Sequence, residues 1–207
     1  SYFNDPSTVE HYVRAVTNIG LWESERLCLD KWFDRDDRVL DLGCGAGRIG
    51  FGLWKLGFRD LWGADLSEAM IEEATAIAEC LRAEIAFQWE DATALSFEPE
   101  FFGAVVFGFN GWMQIPGREW RRKALSELWR VCKPGGFFIF TTLDREDPLY
   151  EAVFSDLSDY DHDPRRNPNV LEDGDRHFKT EHGTTFMHVP RRSEVIEDLE
   201  STGWLLQ

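Results

Sequence analysis

The stretch VLDLGCGAGR, residues Val39–Arg48, decides the fold of this chain. Its first four residues are typical of a buried β-strand, and apolar residues recur at helical spacing from Ala46 to Leu56. The three alternating glycines in between lack a Cβ, so the chain can turn tightly and a ligand can approach the main chain closely. The following helix presents unpaired N–H groups that suit a carboxylate or phosphate. The stretch predicts a strand, a turn and a helix, with a ligand at the turn as the favoured interpretation over a tight turn alone.

Strands and helices alternate on both sides of this stretch. The predicted strands are 38–42, 60–64, 83–89, 103–107 and 136–143, and the predicted helices are 46–56, 67–81 and 118–131. Such alternation produces parallel βαβ units with helices on both faces of the sheet. We therefore expect an α/β fold, a three-layer α-β-α sandwich around a mostly parallel, Rossmann-like sheet. Ligands of such sheets bind beyond the carboxyl ends of the strands.

The 207 residues fit one domain with four parts. These are an N-terminal helical cap broken near Gly20 (1–36), a ligand-binding core (37–149), a lid or substrate insertion ending in a hairpin (150–192), and a last helix with an edge strand (193–207). A long polar connection in a compact domain is usually functional or disordered. Because the sequence reaches Gln207 just inside that edge strand, we expect an incomplete sheet edge and either a monomer or a homodimer.

Charge and composition limit the classes of partner. The formal net charge is −16, and an acidic surface repels nucleic acid. The only basic cluster in the sequence, Arg118 to Lys123, is interpreted as a helix face exposed to solvent. No apolar run is long enough for a membrane span, and the four cysteines form no close pair. We expect a cytoplasmic protein with reduced thiols and no nucleic-acid or membrane partner.

The glycine-rich turn is compatible with more than one class of ligand. Gly45 to Gly50 also fits the G-x-G-x-x-G pattern of dinucleotide loops, so an NAD(P)-dependent oxidoreductase is one alternative. Against it, Asp41 precedes the glycines, and a carboxylate is a poor neighbour for a pyrophosphate but a good one for a cation. A domain that keeps the pocket for sensing or as an interaction scaffold is a third, non-catalytic alternative.

Five segments together resemble the motifs of class I S-adenosylmethionine-dependent methyltransferases. They are VLDLGCGAGRIG (39–50), GADLSEAMIEEA (63–74), WEDATALSF (89–97), FGAVVFGFNGW (102–112) and LWRVCKPGGFFIFTTLD (128–144). A single segment means little, but all five occur in the family's order and spacing. The resemblance covers residues 39–144. It implies the sheet of that family, S-adenosylmethionine as cofactor, and methyl transfer by in-line displacement. Because the acidic charge disfavours nucleic acid as substrate, we expect a small-molecule acceptor.

The resemblance also implies where the cofactor binds. Asp65 would accept hydrogen bonds from the ribose hydroxyls, Asp91 and Ala92 would contact the adenine edge, and Asp41 would act through water or by shaping the turn. For Met70, core packing is an equally good interpretation. The full set of cofactor-binding candidates is Asp41, Gly43, Cys44, Gly45, Gly47, Asp65, Leu66, Met70, Asp91, Ala92, Phe107 and Phe109.

The acceptor side of the site is less well defined. Methyl transfer needs a base only if the acceptor must lose a proton at attack, since positioning alone supplies much of the rate. Candidates for a base or a cleft residue are His188, His182, Asp144, Tyr150, Asn110, Trp112 and Gln114. Aromatic residues that could close the cleft are Tyr2, Phe3, Tyr12 and Trp22. The histidines show no ligand spacing that we recognise, so we expect no metal.

Overall fold

The computed structural model describes residues 2–149, 168–180 and 183–207. A five-stranded sheet, parallel in every pairing and ordered β3-β2-β1-β4-β5, forms its centre. The strands are β1 Val39–Leu42, β2 Leu61–Asp65, β3 Ile85–Trp89, β4 Phe102–Phe107 and β5 Cys132–Phe140. The helices are α1 Pro6–Asn18, α2 Glu23–Trp32, α3 Arg48–Lys55, α4 Glu68–Leu81, α5 Arg118–Val131 and α6 Arg192–Ser201. The predicted α/β class and parallel sheet are confirmed.

The order of the strands reverses at β1, which pairs with β2 on one side and β4 on the other. Val39, for example, lies opposite Leu61 of β2 and Ala104 of β4. Open α/β sheets bind ligands at such a switch point, beyond the carboxyl ends of the strands. Every residue of β1 and β4 is buried, since helices cover both faces of the sheet. The sheet therefore supplies a rigid base for the loop after β1.

Local signals set the helix starts. The Oγ of Ser67 accepts a 3.3 Å hydrogen bond from the N–H of Met70, so Ser67 caps α4 and the helix itself begins at Glu68. By contrast, α3 begins at Arg48 and not at the predicted Ala46. Its cap, Gly47, has a φ of 91°, a left-handed conformation that the helix cannot include.

Two further elements form a separate antiparallel hairpin, β6 Asp175–Thr180 and β7 Gly183–His188. The predicted hairpin near the end of the insertion is confirmed. Residues 150–167 and 181–182 of the expected lid, which include Tyr150 and His182, lie outside the described residues. Among the helices of the described part of the chain, none has both the length and the apolarity required to span a bilayer.

The predicted edge strand at the end of the chain is wrong, since residues 204–207 adopt no strand. Gly203, with a φ of 94°, turns the chain after α6. The indole N–H of Trp204 then donates to the carbonyl of Leu125 at 3.1 Å, and its ring lies 5.2 Å from that of Phe138. These contacts hold the segment against α5 and the face of β5. Within the described residues, β5 forms one edge of the sheet.

Candidate active site

The loop after β1 depends on glycine at three positions with left-handed backbone. Gly43, Gly45 and Gly47 have φ values of 63°, 54° and 91°. A Cβ at Gly43 would lie 2.6 Å from the ring of Phe107, and one at Gly47 would lie 2.8 Å from the ring of Phe51. Both distances are shorter than carbon atoms tolerate. The loop can therefore pass close to β4 and α3 only because these residues lack side chains.

Asp65 connects the tip of β2 to this loop. One oxygen of its carboxylate accepts a 2.8 Å hydrogen bond from the N–H of Gly45, and the other accepts one of 2.8 Å from the N–H of Ser67. Burial raises the pKa of Asp65, and the hydrogen bonds from Ser67 and Gly45 oppose the increase. Each oxygen keeps a lone pair, so the carboxylate can still accept hydrogen bonds from a diol.

Asp41 lies behind the loop. Its side chain is buried, and its carboxylate accepts a 2.9 Å hydrogen bond from the N–H of Gly50 in α3. Burial raises the pKa of Asp41 from 3.8 to about 7, although the hydrogen bond from Gly50 and the charge of Arg48 lower it. Of the two roles expected for Asp41, this geometry favours shaping of the turn.

A cavity of about 640 Å³ opens where the tips of β1, β2, β3 and β4 meet. Nine of the twelve cofactor-binding candidates line it, namely Gly43, Gly45, Asp65, Leu66, Met70, Asp91, Ala92, Phe107 and Phe109. Asp41 and Cys44 line an adjoining cavity of about 70 Å³, which Gly43, Gly45 and Phe109 also reach. Gly47 lines neither cavity and packs against α3 and β3. The structure thus brings most of the predicted site together.

Aromatic residues of the N-terminal cap cover the glycine loop. Phe3 and Tyr12 line the larger cavity, and Trp22 lines the adjoining one. Tyr12 lies so close that a Cβ at Gly45 would be 3.5 Å from its ring. Burial, with smaller effects of Tyr2 and Asp65, raises the pKa of Tyr12 to about 12, so its hydroxyl stays protonated at neutral pH. It can donate a hydrogen bond into the cavity.

The turn after β4 carries two consecutive strained residues. Phe109 and Asn110 have φ values of 51° and 58°, a region that non-glycine residues rarely adopt. The N–H of Asn110 donates to the Oγ1 of Thr141 at 3.0 Å, and the ring of Phe109 lies 5.6 Å from that of Trp22. The guanidinium of Arg48 contacts both rings. Strain of this kind is concentrated at functional sites.

Of the candidate bases that the structure describes, none lines the cavity. His188 is 2% exposed, and its Nδ1 lies 2.8 Å from a carboxylate oxygen of Asp175. Asp144 accepts a hydrogen bond from the N–H of Glu146, and Asn110 lies between lining residues without lining the cavity itself. Tyr150 and His182 lie outside the described residues. A catalytic role for any of them stays a prediction.

Among the other cleft candidates, Gln114 lines the cavity, whereas Trp112 belongs to the core and donates its indole N–H to the carbonyl of Arg121 at 3.1 Å. Several lining residues are not among the site residues expected from the sequence, namely Glu90, Thr93, Ile115, Pro116, Trp120 and Leu171. Glu90 and Thr93 lie within four residues of the end of the predicted strand 83–89, which could have indicated them. Leu171 had no such signal, because it lies at the end of a long irregular connection.

Comparison with known proteins agrees with this geometry. Residues 39–136 match the family described as "Methyltransferase domain". A demethylmenaquinone methyltransferase of Bacteroides fragilis is 30% identical over 150 residues, which are 70% of this chain and 60% of that protein. An eEF1A lysine and N-terminal methyltransferase of Danio rerio is 29% identical over 129 residues, 60% of this chain and 18% of that protein. The chain thus spans less than two thirds of these relatives.

The fold also has solved counterparts. A crystal structure described as a SAM-dependent methyltransferase of Methanosarcina mazei superposes with a TM-score of 0.72 at 22% identity, covering 89% of this chain and 85% of that one. This likeness and the strand order give the chain the fold of class I S-adenosylmethionine-dependent methyltransferases, a class whose cofactor is S-adenosylmethionine.

Proposed function

We propose that the chain transfers a methyl group from S-adenosylmethionine to a small-molecule acceptor by in-line displacement. The observation that carries this proposal is the single cavity formed by the glycine loop of β1, Asp65 of β2 and the strained turn after β4. A volume of about 640 Å³ lies within the range of about 300–1,000 Å³ usual for small-molecule sites.

The lining residues suit the parts of the cofactor. Asp65 would accept hydrogen bonds from the ribose hydroxyls, and Asp91 with the main chain of Ala92 would contact the adenine. Gly43 and Gly45 would allow the methionine portion to approach the main chain. When bound, the sulfonium supplies an electrophilic methyl group. The contribution of the chain is to hold the acceptor in line with that methyl and to exclude water, which is worth several kcal/mol of barrier.

A small acceptor fits the arrangement of the basic residues. Arg118 and Arg122 both bind Asp198 at 2.7 Å, and the buried Arg121 binds Glu172 at 2.9 Å. These arginines are engaged with carboxylates of the same chain, so they offer no surface for phosphates of a nucleic acid. The named activities of the two relatives concern a demethylmenaquinone and a protein. The mostly apolar lining of the cavity favours the first kind of acceptor.

The alternative of an NAD(P)-dependent oxidoreductase is disfavoured by the lining. Among the described residues, no Lys or Arg lines the larger cavity, whereas Asp65, Glu90 and Asp91 do. A pyrophosphate would therefore enter an acidic cavity without a counter-charge.

Isothermal titration calorimetry with S-adenosylmethionine, S-adenosylhomocysteine and NAD tests the proposal. We expect the first two to bind and NAD to give no signal. Turnover is measured by screening pooled metabolites with a methyl donor that carries a radiolabelled methyl group. Binding of NAD in preference to S-adenosylhomocysteine would overturn the cofactor assignment. Label transfer to added nucleic acid or protein, but to none of the small molecules, would overturn the acceptor assignment.

A further inference from the structure

One half of the cavity is not lined by the residues that we expect to bind the cofactor, and its lining is mostly apolar. It lies between the turn after β4 and the start of α5. Its lining side chains are Gln114, Ile115, Pro116, Trp120 and Leu171. We infer that this half is an acceptor subsite for an uncharged, largely apolar small molecule. The inference rests on the proposed function and specifies the acceptor class for it.

Charge is distributed unevenly along the cavity. The three lining carboxylates belong to Asp65, Glu90 and Asp91, at the tips of β2 and β3. Among the described residues, the cavity lining includes no Lys, Arg or His. An anionic acceptor would lose its water without gaining a partner, and it would also face these acids. The amide of Gln114 can still bind one polar group of a neutral acceptor.

The wall opposite α5 is held in place by a buried polar network. The N–H groups of Leu171 and Glu172 donate to one oxygen of Asp175 at 2.9 and 3.0 Å. The other oxygen of Asp175 contacts the Nδ1 of His188 at 2.8 Å. The carboxylate of Glu172 accepts hydrogen bonds from the buried Arg121 at 2.9 and 3.1 Å. Leu171 is thus fixed by its main chain although its side chain is 63% exposed.

The same contacts account for a cluster of possible metal ligands. The cluster consists of Glu172, Asp175 and His188, and one possible metal-ligand atom from each side chain lies within 4.8 Å of the other two. Both oxygens of Asp175 are already hydrogen-bonded, and Glu172 is paired with Arg121. We assign this cluster the role of anchoring Leu171 at the cavity.

Two large apolar side chains flank the mouth of the subsite. A Cβ at Gly117 would lie 3.6 Å from Trp120 and 3.7 Å from Leu171, so the two side chains border the same point of the chain. Trp120 is 57% exposed. Exposed apolar groups in such an arrangement mark binding sites. On the same helix, Trp129 is 56% exposed but lines a different cavity, so it provides a matched control.

Calorimetry on protein saturated with S-adenosylhomocysteine tests this inference. The probes are 2-naphthol and 2-naphthoate, which share a ring system and differ in charge at neutral pH. We expect 2-naphthol to bind and 2-naphthoate to bind at least about 10-fold more weakly, a difference of about 1.4 kcal/mol. Trp120→Ala and Leu171→Asp should weaken 2-naphthol binding without changing the affinity for S-adenosylhomocysteine. Trp129→Ala should change neither affinity.

Several results would overturn the inference. Among them are equal affinity for both probes, no binding of 2-naphthol, and equal effects of Trp120→Ala and Trp129→Ala. A loss of S-adenosylhomocysteine affinity in Trp120→Ala would instead assign this side chain to the cofactor. If wild-type protein fails to bind S-adenosylhomocysteine, the proposed function itself fails. Normal cofactor binding without discrimination between the probes rejects the acceptor class alone.

Discussion

The main-chain N–H of Gly45 donates a 2.8 Å hydrogen bond to the carboxylate of Asp65, so the loop after β1 is attached to the tip of β2. This bond requires a left-handed residue at 45 and an acceptor at 65 together. Asp65 thus acts twice, because it orders the glycine loop and lines the cavity where the ribose would bind.

Substitution of Asp65 should weaken cofactor binding strongly. In Asp65→Ala, the ribose loses its acceptor and the N–H of Gly45 loses its partner. Since hydrogen bonds to a charged group contribute about 1.5–3 kcal/mol, we expect the Kd for S-adenosylhomocysteine to rise by about 10- to 150-fold. Calorimetry measures the change. Glu72→Gln, an exposed carboxylate on α4, is the control and should keep wild-type affinity. Wild-type affinity in Asp65→Ala would contradict the assignment.

Two glycines with nearly equal φ allow the cost of left-handed backbone strain to be distinguished from the cost of a steric clash. Gly20 and Gly43 have φ values of 62° and 63°, but a Cβ would meet nothing within 4 Å at Gly20 and the ring of Phe107 at 2.6 Å at Gly43. Gly20→Ala should cost about 1–2 kcal/mol of unfolding free energy from the left-handed backbone alone. Gly43→Ala should cost a further ~1–3 kcal/mol from overpacking and should also impair cofactor binding.

Urea unfolding of both variants, with calorimetry of S-adenosylhomocysteine binding, measures these effects. The affinity of Gly20→Ala for S-adenosylhomocysteine is the reference with which the affinity of Gly43→Ala is compared. Equal destabilisation of the two variants would show that the ring of Phe107 moves aside without cost.

The sheet and most of the cofactor side could be predicted because their signals are local. Strand and helix periods lie within each segment, and the lack of a Cβ at Gly43 and Gly45 indicates a tight turn from residue type. The position of Leu171 depends on Arg121, distant in sequence, through a network that no local pattern encodes. The burial of His188 against Asp175, across the hairpin, has no local signal in the sequence either. Tertiary contacts, not local periods, place both side chains.

A buried ion pair attaches the N-terminal cap to the glycine loop. Both guanidinium NH2 groups of Arg48 donate to the carboxylate of Glu25, at 2.6 and 2.7 Å, and both side chains are largely buried. Because either single variant leaves an unpaired buried charge, Arg48→Met and Glu25→Leu should each cost about 3–5 kcal/mol of unfolding free energy. The double variant should cost less than the sum of the two.

Urea unfolding of the two single variants and the double variant completes the cycle for this pair. The exposed pair of Glu10 and Arg14 on α1 is the control, and Arg14→Met should have little effect. Additive losses for Arg48 and Glu25 would show that the pair does not couple the cap to α3.

The carboxyl of Asp41 should give stability a distinctive pH dependence. Burial raises its pKa from 3.8 to about 7 in the folded chain, so the native state holds the proton more tightly than the unfolded chain between these values. The unfolding free energy contributed by this group therefore falls as pH rises through that window.

Asp41→Asn keeps an oxygen that can accept the hydrogen bond from Gly50 but cannot ionise. Relative to wild type, the variant should gain stability as the pH rises from about 4 to about 7, the limits set by the two pKa values. Urea unfolding of both proteins at several pH values measures the difference, which also cancels the titration of the other acids. Parallel pH profiles would show that Asp41 ionises in the folded chain as easily as in the unfolded one.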